Sequence, residues 1–182
     1  IVFTGVAGGL GDGVRVGDVV VAQTLLQHDM DASPLFPRFE VPLYGQSHFA
    51  ADAALTAMLL EAASAYCAGA EGQLGAEKVA LFGLKKVQAH HGLLVAGDRF
   101  VATAAESHAL RNALPGVLAV DMESAAVAQV CFDYHIPFAA VRTISDRADD
   151  AAHVDFPLFL AQLAAPYAQG IMVKFLQLLL KK

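Results

Sequence analysis

Val19-Val20-Val21-Ala22 is an unbroken apolar run, led in by Val16-Gly17-Asp18. A strand with no polar residue at alternate positions has no face to offer to water. Such strands occur where helices cover a sheet on both sides. Ile1–Thr4, Lys78–Leu84, Val87–Val95, Val117–Val120 and Phe138–Ile144 read as further strands. Between them the spacing predicts helices over His48–Ala68, from a Thr103 cap to about Asn112, over Met122–Tyr134, and over Phe156–Leu180 with Pro166 as a kink or break. Ser33 to Gly45 holds three prolines and reads as a long loop, and Gly69–Glu77 as a polar linker. Alternating strands and helices over a buried sheet predict one layered α/β domain across residues 1–182.

Composition narrows the function classes. Hydrophobic residues make up 56% and charged residues 16%, which argues against disorder and leads us to expect a subunit interface or a large private core. Net charge is −6, and the only basic clusters are Lys85-Lys86 and Lys181-Lys182, too little to neutralise a phosphate backbone; no nucleic-acid partner is expected. No apolar run looks long enough to cross a bilayer, because Asp, Glu, Gln or Gly interrupts each one. Cys67 and Cys131 sit in apolar helical stretches and read as small buried hydrophobes. His90-His91 has no third ligand at metal spacing, so no metal is expected. The opening residues carry no signal-peptide pattern, from which we expect a cytoplasmic location. Ile1-Val2-Phe3-Thr4 reads as the interior of a fold, with N-terminal sequence expected before it.

In α/β sheets, ligands bind beyond the carboxyl ends of the strands. The strand ends here offer Gly5-Val6-Ala7-Gly8-Gly9, then Asp98-Arg99-Phe100, then Asp121-Met122-Glu123, then Ser145-Asp146. Each has a plain structural explanation: a tight turn needing positive φ for the glycines, a favourable acid in a first helical turn for Glu123, a turn cap for Asp146, a core position for Phe100. Their joint placement on one sheet edge points instead to a ligand site with two carboxylates and one aromatic ring.

The same segments, with Val16–Val21 and His28-Asp29-Met30-Asp31, resemble the 5′-methylthioadenosine/S-adenosylhomocysteine nucleosidases of the nucleoside phosphorylase superfamily. Ala119-Val120-Asp121-Met122-Glu123-Ser124-Ala125-Ala126 and Val141-Arg142-Thr143-Ile144-Ser145-Asp146 are the specific stretches. The resemblance implies a three-layer αβα fold with a central mixed sheet, no cofactor, a small-molecule nucleoside substrate and a homodimer, in which the loop around Leu35-Phe36-Pro37 reaches the neighbouring subunit's site. It implies that Asp146, held by Ser145, acts at purine N7 as general acid. Glu123 would accept hydrogen bonds from the ribose hydroxyls. Phe100 would stack on the purine, the Val101 backbone would read its edge, and Met122 would pack on the sugar. Phe156 would line the pocket for the 5′-substituent, with Ala7 and Gly8 against the substrate. The expected reaction is hydrolysis of adenine thionucleosides, with release of adenine. Two departures bear on it. The glutamate that activates water in the family has no counterpart in these residues. Val6 stands where relatives carry Ser or Thr, which favours hydrolysis over phosphorolysis. A purine nucleoside phosphorylase and a nucleoside-binding protein without turnover are the competing readings.

Overall fold

The computed structural model describes residues 1–181. Six strands and seven helices follow in the order β1 (Val2–Gly9), β2 (Val19–Gln27), β3 (His48–Ala50), α1 (Ala53–Ala68), α2 (Ala70–Leu74), α3 (Ala76–Leu81), β4 (Ala89–Ala96), α4 (Ala104–Ala113), β5 (Val117–Asp121), α5 (Ser124–Asp133), β6 (Ala139–Asp146), α6 (Ala152–Phe159) and α7 (Ala165–Leu179), the last two joined by a wide π-helical turn over Leu160–Ala164. The strands form one mixed sheet in the order β3-β2-β4-β5-β1-β6. β1 runs parallel to β6, and β4 runs parallel to both β2 and β5; β1–β5 and β2–β3 are antiparallel. Val19–Val21 of β2 also pairs antiparallel with β6, so the sheet curls back on itself.

Side-chain alternation along the strands makes the three layers. Val19 and Val21 of β2, with Ala139 and Val141 of β6, face a core shared with α1 and α7. Val20 and Ala22, with Ala140 and Ile144, face the opposite core against α5. Every residue of β6 is buried. That two-sided burial is why these strands carry no polar alternation.

Several local expectations are corrected. Gly5–Gly9 is not a turn but the second half of β1, and none of its glycines has positive φ. Close packing explains them instead. A Cβ on Gly8 would lie 2.9 Å from Ala148 Cβ, and one on Gly9 would lie 3.1 Å from Ile144 Cγ2. Lys78–Leu84 is not a strand. Ala76-Glu77-Lys78-Val79-Ala80-Leu81 is a run of mostly good helix formers set between Gly75 and Gly83, both at positive φ, and it folds as α3. Gly69–Glu77 is likewise largely helical. His48–Ala50 is a strand, held on β2 by the Leu25↔Phe49 pairing, and helix α1 starts only after Asp52, whose Oδ1 accepts from Leu55 N at 2.8 Å.

The C-terminal helix begins earlier than expected, and Asp155–Leu179 is one helical run of 25 residues that holds an 18-residue stretch of mean hydropathy 1.3. By length and composition alone it could cross a membrane, against the reading that no run was long enough. Interrupting glutamines and one lysine lower the average of the apolar string but leave it in the range of a membrane span. Leu163, Tyr167, Ile171 and Phe175 recur every four residues and pack in the α1 core. Pro166 has no N–H to return to the Gln162 carbonyl four residues back; Lys78 Nζ donates to that oxygen instead at 3.1 Å.

Candidate active site

Phe3–Gly8 of β1 and the carboxyl ends of β5 and β6 line one cavity of about 270 Å³, close to the smallest ordinary ligand sites at roughly 300 Å³. Ala7, Gly8, Phe100, Val101, Met122, Glu123, Ser145, Asp146 and Phe156 all line it. Phe3, Thr4, Gly5, Val6, Arg99, Val120, Asp121 and Arg142 complete its walls.

Asp146 ends β6, and the sheet itself aims it. β1 and β6 pair in register up to Ala7↔Ile144; the next pair is Gly8↔Asp146, with Ser145 as the extra residue of a bulge. A bulge breaks the alternation of faces and redirects the side chain that follows. Ser145 Oγ then donates to Asp146 Oδ2 at 2.8 Å, and the Ala148 N–H donates to Oδ1 at 2.8 Å. Burial pushes the Asp146 pKa up; these two hydrogen bonds pull it down without cancelling the effect, and Asp149 and Asp155 add to the rise. A buried carboxyl that keeps its proton more readily than usual is what general-acid catalysis near neutral pH requires.

Glu123 sits just before α5, at φ −131° and ψ −28°, and its carboxylate caps no backbone N–H. The helix start is served by Asp121 instead, whose Oδ1 accepts from Ser124 N at 3.2 Å and from Ser124 Oγ at 2.7 Å. Glu123 thus stands at the helix start, as its charge favours, but bonds to no backbone there, and it lines the cavity. Asp121 Oδ2 accepts from Arg142 Nε at 2.6 Å, both side chains being buried. Arg142 also donates to the Phe3 and Val141 carbonyls and stacks its guanidinium 4.2 Å from the Phe3 ring centroid. Sequence reasoning assigned no role to Arg142. It forms the floor beside Glu123, and its signal was an Arg inside an otherwise apolar strand.

The aromatic wall is Phe100, 42% exposed, packed edge-on against Phe156 with ring centroids 5.6 Å apart. Val101 beside it is buried. His28 and Asp29 brace the turn that leads there: Asp29 Oδ2 accepts from Asp98 N at 2.7 Å, and the buried His28 ring abuts Gly97. Burial lowers the His28 pKa and favours its neutral form. His90 stays outside the site, on the far end of β4, with Nε2 2.9 Å from Asp18 Oδ2. Asp18 also accepts from the Arg15 and Gln88 N–H groups, so this cluster ties a loop to the sheet. Cys67 and Cys131 are buried, and burial raises the Cys67 thiol to about 12.

Comparison with known proteins agrees with this geometry. Residues 1–177 match the model of the phosphorylase superfamily. The chain is 35% identical over 97% of its length to a 5′-methylthioadenosine/S-adenosylhomocysteine nucleosidase of Bacillus cereus, and 32% identical over 95% to one of Shewanella denitrificans. It covers 68% and 66% of those two proteins. The crystal structure of the Neisseria meningitidis nucleosidase of the same name, in complex with methylthio-immucillin-A, superposes with a TM-score of 0.80 at 33% identity, over 96% of this chain and 68% of that one. The chain therefore spans about two thirds of the length of these relatives. A buried acid at a β-bulge, an uncapped glutamate at a helix start and an aromatic wall around one cavity, together with these matches, place the chain in the phosphorylase superfamily, as a member of its 5′-methylthioadenosine/S-adenosylhomocysteine nucleosidase family.

Proposed function

We propose that this protein hydrolyses the N-glycosidic bond of adenine thionucleosides, 5′-methylthioadenosine and S-adenosylhomocysteine among them, and releases adenine. One observation carries the reading: a carboxyl whose burial raises its pKa shares a single cavity with an uncapped carboxylate and an exposed aromatic face. Adenine leaves poorly as an anion. Protonation of N7 by Asp146 lets it leave neutral. The sugar becomes electron-poor as the bond breaks, and ribose hydroxyls that donate to Glu123 are held more strongly in that state than in the substrate, which accelerates the reaction. Phe100 stacks on the purine, the Val101 backbone reads its edge, Met122 packs on the sugar and Phe156 borders the 5′-substituent.

Water attacks the anomeric carbon. Among the described residues the cavity's remaining carboxylate, Asp121, is held by Arg142 and Ser124. We assign activation of the water to a group from the third of the relatives' length that this chain does not cover. Val6 lines the cavity and has no hydroxyl to offer a phosphate, which favours water as the acceptor. We also read the working form as a cytoplasmic homodimer. Tyr44 from the Ser33–Gly45 loop packs against the half-exposed Phe132 of α5, and Leu35, Leu43 and Tyr134 around them are largely exposed. Two buried free thiols suit a reducing compartment.

The test is incubation of the full-length protein with methylthioadenosine, with and without phosphate. Adenine and free methylthioribose are expected at equal rates in both. Release of a ribose 1-phosphate only when phosphate is present would make the enzyme a phosphorylase. Binding measured by calorimetry with no adenine released would make it a non-catalytic nucleoside-binding protein.

A further inference from the structure

Helix α4 carries two adjacent residues that hold different segments beside the cavity: Glu106 the one with Arg99, and Ser107 the one after Asp146. Glu106 Oε2 accepts from Thr103 Oγ1 at 2.9 Å and from Ala102 N at 3.4 Å, and its Oε1 accepts from Arg99 Nη2 at 2.8 Å. It therefore ties the segment bearing Phe100 and Val101 to the helix. Ser107 points the other way. It is buried, and its Oγ donates to the Ala148 carbonyl.

Ala148 is one of the two residues that hydrogen-bond the Asp146 carboxyl, with Ser145. It is fully buried at φ 48°, a left-handed conformation that costs an L-residue energy and needs outside support. Its N–H donates to Asp146 Oδ1 on one side of that strained Cα, and its carbonyl accepts from Ser107 on the other. Gly8 packs behind it, leaving no room for a side chain there. Beside this apolar packing, the Ser107 hydrogen bond is the polar tie to Ala148 from outside the loop.

We propose that Ser107 is a positioning residue for Asp146: acting through Ala148, it holds the acid at a set distance from the purine-stacking wall that Glu106 anchors on the same helix. The inference rests on the nucleosidase reading above. A proton donor misplaced by a fraction of an ångström transfers its proton poorly even when substrate binds well. The Ala148 N–H also favours the ionised form of Asp146, so its loss should push the acid's pKa higher still. Asp149 and Asp155 are the charged groups that also act on it, and neither is altered by the test.

The experiment is steady-state kinetics of Ser107→Ala on methylthioadenosine across pH, in the full-length protein. We expect kcat to fall about tenfold with KM within about twofold. The alkaline limb of the kcat profile should move to higher pH. Ser107→Thr, which keeps the hydroxyl, should return both toward the parent. Leu110→Ala, one turn further along α4 and buried, serves as the stability control; it should lower Tm without moving the limb. If Ser107→Ala keeps the parent kcat and pH limb, or if Leu110→Ala reproduces its shift, Ser107 is only a packing residue and the inference fails alone. If the parent itself releases no adenine, the reading of the site fails and the positioning role fails with it.

Discussion

In the proposed role, Asp146 serves activity at the expense of stability. Its folded pKa lies above the ordinary carboxylate value of 3.8 because burial disfavours the charge. The stability this group contributes is fully present below the unfolded pKa and is lost as pH rises through the folded one. At neutral pH an ionised Asp146 is therefore a burden on the fold. Asp146→Asn removes the transferable proton and little of the shape. We expect kcat to drop by at least about 10²-fold while ligand binding, followed by calorimetry, largely survives. The same variant should melt at a higher temperature than the parent at pH 7, with the gap closing in acid. Wild-type turnover in the variant would remove Asp146 as the acid; an unchanged or lower Tm at pH 7 would show that its burial costs nothing.

Among the elements, the contact of α7 with α1 depends most on a single position. Gly170 lies in the middle of α7, where intrinsic propensity alone would favour alanine by about 1 kcal/mol. A Cβ at Gly170 would overlap the buried ring of Tyr66 on α1. Tyr66 has little room to give way, since its ring packs against Tyr167 with centroids 5.0 Å apart. Overpacking of this kind costs about 1–3 kcal/mol or more, so packing outweighs propensity. Gly170→Ala should lose on the order of 2–10 °C in thermal melting. A gain in Tm would mean that α7 shifts freely on α1. The β1–β6 bulge acts at the same scale: two strands in simple register would turn Asp146 to the other face of the sheet.

At the scale of the whole molecule, the curled sheet brings the ends of β1, β5 and β6 together, and the cavity exists only because strands far apart in the chain are neighbours in space. The exposed apolar side chains of the Ser33–Gly45 loop and the end of α5 lie outside both cores. We expect the protein to sediment as a dimer, and Leu43→Glu combined with Tyr134→Glu to shift it toward monomer with its fold, followed by circular dichroism, unchanged. A parent that sediments as a monomer at all concentrations would refute the dimer.

Composition and pattern were enough for the class of fold. Unbroken valine runs can only be strands buried on both faces, and the Thr103 cap, realised through Glu106 N, marked the start of α4 from local chemistry alone. Motif residues at the strand ends line one cavity. Where local signals competed, sequence misled: Gly5–Gly9 has the composition of a turn but is held in β1 by its pairing with β6, and Gly8 and Gly9 leave room for Ala148 and Ile144, which arrive from 135 residues or more away. Lys78–Leu84 alternates weakly enough to read as a strand, yet its helix formers and flanking glycines decided otherwise. The pairing of Asp121 with Arg142, the burial that raises the Asp146 pKa and the reach of Ser107 to Ala148 belong to the tertiary structure alone. Each depends on distances and desolvation between segments remote in the chain, and periodicity along the chain carries no record of those.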